Sequence, residues 1–164
     1  MTGAVVETCQ AVGWVAAARG FPLAVLPQEG QEYLGMDVMA FRSDGHGDED
    51  AEGGHRLRWQ FPVAVFELEN SALDDRVAYS LWKVLCVRVP LRGVFAYRQD
   101  WDRARALLED LRHVVVDAMP IEERLAIAGQ TLVVLGSRGE GETFPHGYFK
   151  MWRLNGNTGR FEKI

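Results

Sequence analysis

Cysteine is scarce in this chain of 164 residues, which carries only Cys9 and Cys86. They form no close-spaced motif and each falls within an apolar helical pattern, so packed, free thiols are expected rather than a disulfide or a zinc site. Long hydrophobic runs are missing as well. No stretch approaches the length of a membrane span, and Met1 to Gln10 has no basic segment ahead of an apolar one, as a secretory leader would. These gaps point to a soluble, cytoplasmic protein in a reducing compartment, with no membrane partner. Internal repeats are absent, and the SRGEGE stretch lacks the Gly-Lys-Ser/Thr ending of a phosphate loop, which leaves it a turn.

What is present is a composition suited to one globular domain over residues 1–164, with 48% hydrophobic and 25% charged residues. The net charge of −5 argues against indiscriminate coating of nucleic acid, but its distribution is lopsided. Residues 28–75 carry twelve acids against Arg42, Arg56 and Arg58. Residues 76–112 carry eight basic residues against four acids. An acidic centre beside a basic half suits a metal-dependent enzyme acting on a polyanion, and it also suits an ordinary solvated surface.

Along the chain, Val5, Cys9, Val12 and Ala16 recur at helical spacing and predict a helix from Thr2 to Arg19, stopped by Gly20 and Pro22. Phe21 to Leu26 is a short extended piece. Glu32 to Arg42 alternates as a strand would, with Tyr33, Gly35, Asp37, Met39 and Phe41 on one face. Ser43 to Gly54 (SDGHGDEDAEGG) is a turn-rich acidic loop, and His55 to Asn70 is the returning strand. Asp74 or Asp75 can cap the next helix, whose buried stripe is Val77, Leu81, Val84 and Leu85. Arg76, Tyr79, Ser80 and Lys83 form an adjacent polar face. Leu91 to Arg98 is a strand, and Asp100 opens a helix to Val115. A short helix from Pro120 to Ala128 then leads to Thr131–Leu135, a strand apolar on both faces. A hairpin over residues 148–164, turning at Asn-Gly, closes the chain. The expected fold is α/β: a mixed central sheet flanked by helices.

One stretch poses a chemical question. FPVAVFELEN is an apolar run that ends in Glu67 and Glu69, which a strand would project onto one face. Carboxylates are rarely buried unpaired, so this pair must meet solvent, cationic side chains or a metal ion. Arg56, Arg58 or Arg76 could neutralise it. So could a hard divalent cation, because oxygen-only ligands suit Mg²⁺ or Mn²⁺ better than zinc.

The order helix, strand, strand, helix, strand, helix, strand, with Asp37 in GMDVMAF, Glu67 and Glu69 in FELEN, and Lys83 in YSLWKVL, resembles the PD-(D/E)XK, or restriction-endonuclease-like, nucleases. The resemblance covers about Glu7 to Leu135 and implies an αβββαβ core. It further implies Asp37 and Glu67 as ligands of Mg²⁺ or Mn²⁺, the carbonyl of Leu68 as a third ligand, and Glu7 on the first helix as an additional one. The triplet's third position holds Glu69 where the family has lysine. Lys83, on the following helix, is then the candidate to orient the attacking water, with Glu69 binding a second ion or holding Lys83 in place. The expected partner is nucleic acid, DNA rather than RNA, and a homodimer or larger protein complex is compatible with it.

Two other functions fit the same residues. The missing triplet lysine is what a catalytically inactive binding or scaffolding subunit of a nucleic-acid-processing or defence complex would show. The acidic loop would instead serve a small regulatory protein that captures a protein partner. Trp59, Trp82, Trp101 and Trp152 are expected in core and rim packing.

Overall fold

The computed structural model describes residues 1–23, 33–43, 60–144 and 146–164. The acidic loop beyond Ser43, the stretch from His55 to Trp59 and residues 24–32 lie outside them. Eleven regular elements alternate in the expected α/β manner: α1 (Thr2–Ala11), β1 (Trp14–Ala18), β2 (Val38–Arg42), β3 (Ala64–Leu68), α2 (Asp74–Leu85), β4 (Leu91–Arg98), α3 (Trp101–Leu111), α4 (Ile121–Ala126), β5 (Gln130–Ser137), β6 (Phe149–Asn155) and β7 (Arg160–Lys163). The strands build one seven-stranded mixed sheet in the order β1-β2-β3-β4-β5-β6-β7. The chain divides into two compact units, Met1–Phe66 and Glu67–Ile164. No helix among the described residues is long and apolar enough to cross a membrane.

In the first unit the strands run antiparallel, with Ala16 opposite Ala40 and Val38 opposite Phe66. The helix expected to reach Arg19 stops at Ala11, and Trp14–Ala18 is a strand. Gly13 makes the break at φ +78°, a conformation costly for any side chain with a Cβ. Val12, placed on the apolar stripe by the helical reading, is therefore exposed, while Ala16, Ala17 and Ala18 are buried beneath strand pairing. β2 likewise starts later than its alternation suggested. Leu34 and Gly35 both take positive φ in a short 3₁₀ turn, so regular strand begins at Val38 and Asp37 stands just before it.

The second unit follows its local signals closely. β4 has the bounds that its alternation predicts. Asp100 caps α3 by accepting a hydrogen bond from the Arg103 amide at 2.8 Å. β4 and β5 are parallel, with Leu91 opposite Gln130, whereas β5–β6 and β6–β7 are antiparallel. α3 buries Ala104, Leu107, Leu108 and Leu111, and α2 buries Val77, Leu81 and Val84. Three details depart from expectation. Leu132 and Val134 of β5 are half-buried, so one face of that strand is only partly covered. Cys86 is exposed, unlike the buried Cys9, whose thiol burial shifts upward from its ordinary value of 9.0. Trp82 is also exposed, while Trp152 is buried and meets the half-buried Trp101 at 6.5 Å.

Neither aspartate caps α2. Leu73 holds the cap position with extended backbone, and Asp74 and Asp75 occupy the first turn, where the helix dipole favours negative charge. Asp74 is instead the anchor of a clamp. Arg98, buried at the end of β4, donates from Nε to Asp74 Oδ1 at 3.0 Å and from Nη1 to the carbonyls of Ser71 and Tyr97 at 3.3 and 2.6 Å. One guanidinium thus ties the β3–α2 loop to β4. Arg98→Met keeps the apolar stem and removes these charge-assisted bonds, so it is expected to lower stability by about 2 kcal/mol. Urea unfolding of the two proteins checks this, and an unchanged midpoint would show that the clamp is dispensable.

Candidate active site at the end of β3

β3 is buried along its whole length, and Glu67 is no exception at 4% exposure. A buried carboxylate needs compensation, and α2 supplies it. Lys83 Nζ lies 2.8 Å from Glu67 Oε2, with the lysine side chain 20% and the glutamate side chain 5% exposed. Ser80, buried one helical turn earlier, directs its hydroxyl to the same oxygen at 3.5 Å. Spacing explains why both reach it: residues three apart share a helix face, so Ser80 and Lys83 come from one stripe of α2. That stripe is the polar face expected beside the apolar one, and its inner edge, Ser80, is buried.

The ammonium has an aromatic neighbour as well. Lys83 Nζ sits 5.7 Å from the centroid of the Tyr79 ring, which stacks on Trp82 at 5.9 Å with a 25° interplanar angle. Lys83 is therefore held between a carboxylate and a π face, and it is wet enough to exchange one partner for another.

Glu69 behaves differently from its neighbour. It lies past the last residue of β3, so strand alternation does not place it on the same face as Glu67. Its carboxylate accepts the Ser71 amide at 2.7 Å and closes a local turn, while its own amide donates to the Phe95 carbonyl in β4 at 2.8 Å. The lysine partner expected for Glu69 belongs to Glu67. Of the other ligand candidates, Leu68 is buried in β3, Glu7 is exposed on α1, and Asp37 is half-buried just ahead of β2. Among the described residues no group of three or more His, Cys, Asp and Glu side chains is placed to hold a metal ion.

No protein family, curated protein or solved structure matches this chain.

The donor set suits one class of ion. A hard oxygen ligand such as the Glu67 carboxylate fits Mg²⁺ or Mn²⁺, which are commonly held through one or two carboxylates and complete their shells with water and substrate phosphate. That Glu67 takes an ammonium at 2.8 Å shows a carboxylate presented to a compact cation. Ser80, placed with Lys83 on the polar face of α2, and Arg98, which holds the loop between β3 and α2, were not among the candidate site residues. Ser80 was legible at i−3 from Lys83, whereas Arg98 becomes meaningful only once β4 is seen beside the loop that begins α2.

Proposed function

We propose that this chain is a divalent-metal-dependent nuclease of the PD-(D/E)XK type that hydrolyses phosphodiester bonds, with DNA as its substrate and the cytoplasm as its location. The observation that carries the reading is the 2.8 Å approach of Lys83 to Glu67 at the end of a buried strand. The positive charge missing from the triplet is supplied from the next helix, within reach of the acid it should serve.

In this reading Glu67 would hold Mg²⁺ or Mn²⁺, and the bound ion would lower the pKa of water and polarise a phosphoryl oxygen. Lys83 would orient the attacking water and place its charge where the phosphorane gains negative charge. The water, giving up a proton to solvent, would form a P–O bond as the bridging P–O bond breaks, and the leaving oxygen would take up a proton from solvent. Ser80 is a positioning residue that keeps Glu67 aimed at Lys83. Glu69 secures the turn beyond β3.

The test is direct. The full chain, incubated with single- and double-stranded DNA, is expected to cleave in Mg²⁺ or Mn²⁺ and to stop on addition of chelator. Cleavage that persists in chelator, or none with any substrate and either ion, would overturn the reading.

A second reading rests on a specific feature of the same site. Lys83 already neutralises Glu67, Glu69 is occupied by its own loop, and no acidic triad stands among the described residues. A catalytically inactive binding or scaffolding subunit would look the same. It would bind nucleic acid or a protein partner equally well with and without chelator.

A further inference from the structure

A second concave site opens in the Glu67–Ile164 unit, at the carboxyl ends of its parallel strands. It encloses about 430 Å³ and is lined by Asn70, Tyr97, Arg138, Gly141, Phe144 and Tyr148. Ligands of open α/β sheets characteristically bind beyond the carboxyl ends of the strands, in pockets of roughly 300–1,000 Å³.

Its walls are aromatic and held in place. Phe144 is 64% exposed, yet its ring packs edge-on against Tyr148 at 5.5 Å and Phe149 at 6.1 Å. Tyr97 closes the inner side, 6.0 Å from Tyr148 and 5.8 Å from Phe149. Gly136 lets the two tyrosines lie over β5: a Cβ there would come within 2.6 Å of Tyr97 and 2.7 Å of Tyr148. An exposed ring whose rotamer is already restrained is a ready stacking platform, because less conformational entropy is lost when a flat ligand lands on it.

Two polar groups complete the lining. Arg138 is exposed, and among the described residues no carboxylate pairs with it. Its charge also draws the Tyr97 hydroxyl downward, against the larger upward push of burial. Asn70, exposed, follows directly on Glu69. The cavity of about 530 Å³ beside α3 is lined by Arg105, Arg112 and Arg160 but also by Glu109; Arg105 and Arg112 already pair with Asp102, Glu109 and Asp117, and the carboxylate in its wall makes it the less favourable seat for an anion.

We infer that the aromatic pocket binds one nucleotide of the substrate strand, its base stacked on the exposed ring of Phe144 with Tyr148 at its side, its edge read by Asn70 and its phosphate met by Arg138. The ligand class follows from the lining. A π surface alone would suit many flat molecules, and an aromatic cage alone would suit a quaternary ammonium, but the guanidinium repels a cation and attracts phosphate. Position supports the same choice. Asn70 is three residues from Glu67, a separation of about 11 Å at full extension, so the pocket lies within one or two nucleotides of a phosphodiester at Lys83. The inference deepens the nuclease reading, on which the phrase "substrate strand" rests.

The experiment uses the full chain without divalent metal. Each of the four deoxynucleoside 5′-monophosphates and the abasic 2-deoxyribose 5-phosphate are titrated against intrinsic fluorescence and NMR line shifts. At least one nucleotide is expected to bind tenfold or more tightly than the abasic phosphate, and Phe144→Ala to weaken it at least fivefold, the low end for one base–aromatic stack. Phe144 is too exposed for its truncation to threaten folding. Equal affinity for the abasic phosphate, or an unchanged affinity in Phe144→Ala, overturns the pocket assignment. The two proposals fail separately: base-dependent binding by a chain that cuts nothing keeps the pocket and removes the nuclease, and cutting without base-dependent binding does the reverse.

Discussion

Glu67→Gln is expected to abolish metal-dependent cleavage, by roughly a thousandfold or more, while the protein remains folded. Glutamine has nearly the shape of glutamate, so the buried end of β3 keeps its packing, but a neutral amide is a far poorer ligand for a hard cation. The loss should be of the size seen when a single group is removed from a charge-stabilising site. Lys83 would lose its counter-ion, yet its side chain is 20% exposed and can turn its ammonium to water. The thermal midpoint is therefore expected to stay within a few degrees. Cleavage and melting measured on one preparation decide the matter. Cleavage at near wild-type rate would mean that the chemistry resides elsewhere or in a contaminant, and a collapsed fold would mean that Glu67 is structural first. The same substitution at Glu69 is expected to do much less, since that carboxylate is spent on the Ser71 amide.

The contrast between these two acids shows where sequence reasoning succeeded and where it could not. Local signals were sufficient for β4, α3 and the closing hairpin, because alternation, an aspartate cap and the turn-forming NGNTG act over a few residues. They failed at Trp14–Ala18, where an alanine-rich pentapeptide has high helix propensity and only pairing with β2 makes it a strand. At Glu69, one residue past the end of β3, the amide still bonds to β4 while the carboxylate is spent on the Ser71 amide, a local turn that the strand pattern does not encode. Lys83 was legible as a helical residue on the right face. That it would reach Glu67 instead of Glu69 depends on how deeply α2 packs, a property of the core under Val77, Leu81 and Val84 and not of the motif. The aromatic pocket was invisible for a related reason. Its lining comes from the ends of β3 and β4, the 3₁₀ segment after β5 and the residue preceding β6, and the one local hint was the run of rings in FPHGYF.

Lys83→Met carries the second large effect, this time on stability. Methionine fills much of the lysine stem's volume but removes the ammonium that lies 2.8 Å from the Glu67 carboxylate, itself 5% exposed. Removing one partner of a buried pair typically costs several kcal/mol because the other charge stays buried; with Lys83 partly wet, about 3 kcal/mol is expected at pH 8. Urea unfolding of the variant and wild type at pH 8 reads the difference. The double variant Glu67→Gln/Lys83→Met, with neither charge, should return to within about 1 kcal/mol of wild type. A Lys83→Met protein as stable as wild type at pH 8 would show that the ion pair contributes nothing there. If the double variant is stable and inactive, however, the pair is not needed for the fold, and its presence at the end of an otherwise apolar strand is explained by the chemistry it performs.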